Sequence, residues 1–164
     1  MILRTKVSVQ RGFSFIELVV VMGVLLTLMG LGTITLINTQ HKTNLNTVVD
    51  TFSADIKSQQ IKAMTGDTGG GASPNAYGLH ISSSNYTLFS GTTYNSGSPT
   101  NFTPSFPTTV QVSTTLPGSN AVFATGSGEL VNVTVSKTVT FTDSGTSQQK
   151  TVTINRYGVI TGVN

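Results

Sequence analysis

Two hydrophobic patterns follow each other in the N-terminal part of the chain. The first is an uninterrupted apolar run of 25 residues, at positions 13–37, in which Glu17 is the only side chain that ionises. In the second, apolar residues recur every three or four positions over residues 45–64, a spacing that places them on one face of a helix. The members of this stripe are Leu45, Val48, Val49, Phe52, Ile56, Ala63 and Met64.

Both patterns predict helix. No proline occurs from residue 13 to residue 64, and the glycines that begin at Gly66 supply a stop. A continuous helix over residues 13–65 would be about 80 Å long at 1.5 Å per residue. We expect the stripe in its second half to pack on the rest of the chain. The alternative is a free amphipathic stalk, which would leave Phe52 and Ile56 in water.

The apolar run is also long enough to cross a bilayer, for which about 20 apolar residues in a helix suffice. The basic residues that precede it at positions 1–12 would keep the N-terminus cytoplasmic. An ionised Glu17 within such a span costs roughly 2.5–3.5 kcal/mol, and no Lys or Arg lies between Gly12 and Lys42. Its counter-charge must therefore come from outside the helix, or from a new amino terminus made by cutting the chain.

After a connector rich in Gly at residues 66–75, the hydrophobic period changes to two, which is typical of strands. The segments predicted to form strands lie at residues 76–81, 86–89, 110–113, 121–124, 130–136, 139–141, 152–154 and 157–160. Turns at residues 82–85 and 143–147 are predicted to close two hairpins. We therefore expect an all-β head of about seven short antiparallel strands, with one face packed on the helix stripe.

Charge and composition exclude several classes of function. The net charge of +3 comes from Arg4, Lys6 and Arg11, since the rest of the chain has six basic and six acidic residues. The pI of 9.4 is therefore no sign of nucleic-acid binding. Lys150 and Arg156 could lie together on one edge of the head, but two basic residues give little support for DNA binding. The chain has no cysteine, which excludes disulfides and thiol chemistry. Since no catalytic or metal-binding motif accompanies its Ser, Asp and His residues, we expect neither enzyme activity nor a cofactor.

The start of the apolar run resembles a known processing site. Residues 12–17 read GFSFIE and are similar to the N-terminal motif of type IV prepilins and type II secretion pseudopilins. In that family a membrane peptidase cuts after the glycine, the new N-terminal phenylalanine is usually N-methylated, and a glutamate lies at the fifth mature position. The resemblance implies cleavage by prepilin peptidase between Gly12 and Phe13, N-methylation of Phe13, and a role for Glu17 in assembly.

The second half of the chain resembles the heads of H-type pseudopilins and FimT-like minor pilins. The similar elements are YGLH at 77–80, YTLF at 86–89, VTF at 139–141 and YGVI at 157–160. The expected fold class is α+β, with a long N-terminal helix, half membrane and half amphipathic, packed on a small antiparallel sheet. The expected divisions are a removed basic leader at 1–12, a transmembrane and assembly helix at 13–37, its amphipathic continuation at 38–65, a flexible linker at 66–75 and a β-rich head at 76–164.

These resemblances imply a structural subunit, of the minor kind, of a type IV pilus or a type II secretion pseudopilus. The expected partners are prepilin peptidase, other pilin or pseudopilin subunits, the inner-membrane assembly platform and membrane lipid, and nucleic acid is not expected among them. The expected location is the inner membrane, as a single-pass protein with its head outside the cytoplasm, and then the filament.

Two alternatives stay open. One is an adhesin or binding module for which the helix is only a tether, and such a protein would not need Glu17. The other is a DNA-receptor minor pilin, whose head would bind DNA in a salt-dependent manner.

Overall fold

The computed structural model describes residues 12–164, except for the side chains of residues 31–39 and 41. Helix α1 is assigned over Phe15–Thr65, and its described side chains form two segments, residues 15–30 and 42–65. The chain divides into two compact units, Met1–Thr39 and Gln40–Asn164. We call the second the globular unit and describe the two units separately.

The two ends of α1 have local causes. At the start, the Ser14 side-chain oxygen and the Ser14 carbonyl both accept the Glu17 amide, at 3.3 and 3.1 Å, so Ser14 acts as the N-cap. At the other end, Gly66 takes a left-handed conformation with φ 70°, and the Asp67 amide bonds the Lys62 carbonyl at 3.0 Å. This is the arrangement by which a C-terminal glycine satisfies the last carbonyls of a helix.

The globular unit contains two antiparallel sheets. The first has the order β2-β1-β4 and the second the order β3-β5-β6-β7. The strands are β1 Tyr77–Ile81, β2 Tyr86–Ser90, β3 Val110–Thr114, β4 Asn120–Phe123, β5 Lys137–Asp143, β6 Gln149–Ile154 and β7 Ile160–Val163. A short 3-10 turn, Pro117–Ser119, comes directly before β4.

One hydrophobic core joins residues 45–63 of α1 to both sheets. The buried helix residues are Leu45, Val49, Phe52, Ile56 and Ala63. The Phe52 ring meets the Tyr86 ring of the first sheet edge-on at 5.3 Å and the Phe141 ring of the second sheet at 5.1 Å. The packing prediction for the stripe is therefore confirmed, except that Met64 is half exposed.

The predicted fold class is wrong as stated. Instead of a helix with a membrane half, packed on one small sheet, the described side chains of α1 form segments at 15–30 and 42–65, and the strands form two sheets of three and four strands. The second segment packs on the sheets through the apolar stripe on one of its faces. The strands divide over two sheets because β3, which lies between β2 and β4 in sequence, pairs with β5.

The predicted membrane span is also wrong. Among the residues that the structure describes, no helix has both the length and the apolar character needed to cross a membrane. The expected transmembrane helix at 13–37 and the expected single-pass location in the inner membrane are corrected accordingly.

Two of the predicted strand pairs are confirmed. Strands β1 and β2 pair antiparallel around the turn at residues 82–85, and β5 pairs with β6 around the turn at 143–147. In both cases the alternating residues and the turn residues are adjacent in sequence. Local pattern was therefore enough to identify them.

Two other predicted strands are wrong. Residues 130–136 form no strand: Leu130 makes a single bridge to Phe123, and Asn132 has φ 60°. The last strand is β7 rather than residues 157–160. There the Asn155 side-chain oxygen accepts the amides of Tyr157 and Val159, both at 3.0 Å, and so folds these residues into a turn.

Candidate functional site

The segment formed by residues 12–30, here called the N-terminal segment, is exposed at every position. Its exposed large apolar side chains are Phe13, Phe15, Ile16, Leu18, Val19, Val20, Val21, Met22, Val24, Leu25, Leu26, Leu28 and Met29. They lie on all faces of the helix, and a helix that is hydrophobic all round is normally buried. An exposed apolar surface of this extent marks a site of interaction with another molecule.

The predicted cleavage point lies in extended chain just before α1. Gly12, Phe13 and Ser14 precede the helix, all three are exposed, and the Phe13 side chain is 82% exposed. A Cβ atom built at Gly12 would meet no atom within 4 Å. Nothing in the fold of this segment therefore requires glycine at position 12, and any need for it would come from a partner that binds there.

Glu17 lies in the first turn of α1 and is exposed. A carboxylate at this place interacts favourably with the helix dipole, a contribution of about 0.3–1 kcal/mol. This local role explains a negative charge but not its position within an apolar segment. Gly12, Phe13 and Glu17 remain predictions as functional residues; the first two lie just before α1 and Glu17 lies in its first turn.

In the globular unit, His80 is a packed residue. Its Nδ1 atom lies 2.9 Å from the Asn120 side-chain oxygen, and its ring stacks on Tyr94 with centroids 4.1 Å apart. These contacts hold the loop after β2 against the first sheet. The side chain of His41 lies outside the described residues.

Two acidic residues of the head, Asp143 and Glu129, lie in separate parts of the fold. Asp143 is fully buried and accepts the amides of Gly145 and Thr146, at 3.0 and 2.9 Å, in the turn between β5 and β6. Glu129 is exposed in the loop after β4. Among the side chains that the structure describes, no three His, Cys, Asp or Glu residues come together as metal ligands would.

The two basic residues considered for DNA binding lie apart. Lys150 is near the start of β6, whereas Arg156 lies in the turn that follows the end of that strand. The Arg156 guanidinium instead covers the Tyr157 ring at 4.7 Å. The structure therefore does not join these two residues into one basic patch.

Sequence reasoning missed a group of polar residues at the C-terminal end of α1. Asp67 accepts the Gly69 amide at 2.8 Å, and this bond, with the Tyr77 side chain and Lys62, holds the pKa of the Asp67 carboxyl below its usual value. Burial raises the pKa of the Tyr77 hydroxyl, and the nearby carboxylate raises it further. No sequence signal joins these residues, because β1 brings Tyr77 back to the helix end only in the folded unit.

A second pair links α1 to the first sheet. The Tyr86 hydroxyl donates a hydrogen bond to Asp55 Oδ2 at 2.5 Å, across 31 positions in the sequence. Burial raises the pKa of Tyr86 well above its ordinary value, and the Asp55 carboxylate adds to the effect.

Compared with known proteins, this chain matches no protein-family model, no curated protein and no solved structure.

Proposed function

We propose that this protein is a structural subunit of a type IV pilus or a type II secretion pseudopilus, cut between Gly12 and Phe13 and assembled through its N-terminal segment. The observation that carries the proposal is the all-round exposure of apolar side chains in that segment, with one ionisable residue, Glu17, in its first turn. The resemblance of residues 12–17 to the prepilin motif supports the same function.

The apolar surface calls for several neighbours rather than one. A stripe on one face would be covered by a single partner helix, whereas large side chains on all faces need helices on every side. Copies of the same segment have the matching composition. A central bundle of such segments would therefore remove the apolar surface from water in every subunit, at about 25 cal/mol per Å².

Glu17 then has a natural partner in a neighbouring copy. Cleavage after Gly12 creates one amine at Phe13, so each mature segment carries one positive and one negative charge four residues apart in the sequence. Within an apolar bundle an unpaired carboxylate is strongly destabilising, and a partner amine at the same level removes that cost. The pair thereby fixes the axial register of adjacent subunits.

The proposal implies three kinds of partner: a prepilin peptidase, other pilin or pseudopilin subunits, and an assembly platform. No catalytic group is assigned to the chain itself. N-methylation of the Phe13 amine keeps its positive charge and is compatible with the pairing.

The test is processing of the full chain in cells with and without a prepilin peptidase. We expect mass spectrometry to show an N-terminus at Phe13 only when the peptidase is present. Gly12→Leu should abolish the cut. Gly23→Leu is the matched control, because a Cβ atom at either glycine meets no atom within 4 Å, and it should be cut like the wild type.

An intact Met1 terminus in the presence of the peptidase would contradict the proposal. So would a cut at another position, or equal processing of Gly12→Leu and the wild type.

A further inference from the structure

A cavity of about 360 Å³ lies where the C-terminal end of α1 meets the first sheet. Residues of α1, of the turn that follows it, of β1 and of β2 line it, and we call it the α1-end pocket. Its polar members are Gln59, Lys62, Asp67, Tyr77, Ser90 and Thr100. Its volume falls at the lower end of the range for small-molecule sites, about 300–1,000 Å³, which suits a ligand of one or two rings.

The charges of the pocket favour a neutral ligand. Lys62 contributes one positive charge, and its Nζ atom lies 5.7 Å from the centroid of the Tyr77 ring. Asp67 contributes one negative charge, and the Gly69 amide fixes its orientation. For either sign of ligand charge, attraction by one of these groups is offset by repulsion from the other, so the pocket has no net charge that would select a cation or an anion.

The hydrogen-bonding groups favour a ligand with several hydroxyls. Gln59 is only 2% exposed, and its side-chain oxygen has no hydrogen-bond partner among the described residues. The Tyr77 hydroxyl is buried beside the Asp67 carboxylate and the Ser90 hydroxyl. Buried polar atoms are normally paired. The Gln59 oxygen and the Asp67 carboxylate accept hydrogen bonds, while Ser90 and Thr100 both donate and accept, as polyhydroxyl compounds require.

An exposed aromatic ring completes the lining. Phe102 is 65% exposed, although its backbone is held by two hydrogen bonds to Leu88, at 2.8 and 3.1 Å. The ring is thus presented at the pocket by a fixed backbone rather than by a loose loop. A flat apolar surface beside convergent polar groups matches a ligand with one apolar face and hydroxyls on its edge.

From this combination we infer that the α1-end pocket binds a neutral saccharide unit. The C–H face of the sugar ring packs on Phe102, and the sugar hydroxyls bond Gln59, Asp67 and Ser90. This activity goes beyond the structural role proposed above. It depends neither on cleavage at Gly12 nor on assembly, so the two proposals can fail separately.

The experiment measures binding of methyl glycosides to the full chain by saturation-transfer NMR. The probes are methyl glucoside, methyl galactoside and methyl mannoside, with sialic acid and glucosamine as anionic and cationic comparisons. The exposed apolar segment requires a detergent, and a phosphocholine detergent avoids a competing sugar headgroup. We expect at least one neutral glycoside to bind with a Kd of about 1 mM, and both charged sugars to bind more weakly.

Three substitutions locate the site. Phe102→Leu should weaken binding about tenfold, because it removes the flat ring while leaving the backbone bonds to Leu88 in place. Phe102→Trp should bind like the wild type. Tyr157→Leu is the matched control, since Tyr157 is a half-exposed aromatic residue outside the pocket, and it should not change the affinity.

Equal binding by the wild type and Phe102→Leu would overturn the inference, as would tighter binding of either charged sugar. Absence of binding by all three neutral glycosides would overturn it as well. The NMR spectrum of the Phe102→Leu protein shows whether its globular unit is still folded. If it is not, Ser90→Ala is the test variant. We expect it to bind the neutral glycoside more weakly than the wild type, and an unchanged affinity would overturn the inference.

Discussion

The N-terminal segment and the helix of the globular unit have similar apolar side chains on the same kind of backbone, yet their surroundings are opposite. Phe15 is 83% exposed, whereas Phe52 is fully buried between the two sheets. The helix of the globular unit keeps its apolar residues in one stripe, which the chain itself covers. The N-terminal segment has them on all faces, and its large apolar side chains are exposed.

This difference separates two kinds of residue. Substitutions in the stripe should change the stability of the globular unit, and substitutions in the N-terminal segment should change what the protein binds. Three predictions test that separation, from the largest expected effect to the smallest.

The largest effect is expected for Phe52→Ala. Removing a fully buried ring from a core typically costs about 3–5 kcal/mol of unfolding free energy. The measurement is urea unfolding followed by tyrosine fluorescence, which is suitable because the chain has four tyrosines and no tryptophan. Phe15→Ala is the matched control and should leave the unfolding free energy unchanged. A comparable loss of unfolding free energy in Phe15→Ala would contradict the prediction that the N-terminal segment does not contribute to the stability of the globular unit.

A smaller effect is expected for Glu17→Gln, and on assembly only. Loss of the charge removes the proposed pair with a neighbouring Phe13 amine, and we expect about tenfold less subunit in sheared filaments, equivalent to ~1.4 kcal/mol. Glu129→Gln is the control, since Glu129 is an exposed acid of the globular unit. It should assemble like the wild type, and both variants should keep the wild-type unfolding free energy. Equal incorporation of Glu17→Gln would favour the tethered binding module.

The smallest effect is expected for Tyr86→Phe, which removes the bond to Asp55 and should cost about 1 kcal/mol at neutral pH. The pKa of Tyr86 is raised in the folded state, so the unfolded state loses this proton first as the pH rises. Its contribution is therefore complete below pH ~10 and decreases above it. We expect urea midpoints between pH 8 and 11 to fall less steeply in Tyr86→Phe than in the wild type. Tyr157→Phe, with a half-exposed ring, should match the wild type, and identical slopes in all three proteins would contradict the prediction.

The parts of the fold that sequence predicted are those in which neighbours in the chain carry the whole signal. The positions of Val49, Phe52 and Ile56 follow from a spacing of three and four, and the β1–β2 and β5–β6 pairs follow from alternating segments with a turn between them. Residues 12–17 were likewise identified from a continuous motif. Their role remains a proposal, because it depends on a partner.

Other features depended on contacts between distant residues, and only the tertiary structure decided them. The division into two sheets depends on β1 pairing with β4 and β3 with β5, far apart in the chain. Residues 130–136 alternate in sequence but carry only one bridge, because Leu130 and Val133 are buried at a spacing of three rather than two.

The α1-end pocket has the same origin. Gln59 and Tyr77 belong to different elements and meet where the helix ends against the first sheet. Sequence by itself therefore determined the local elements and their apolar faces. Tertiary structure determined which strands pair and which polar groups converge, because both depend on long-range packing that no short window of residues contains.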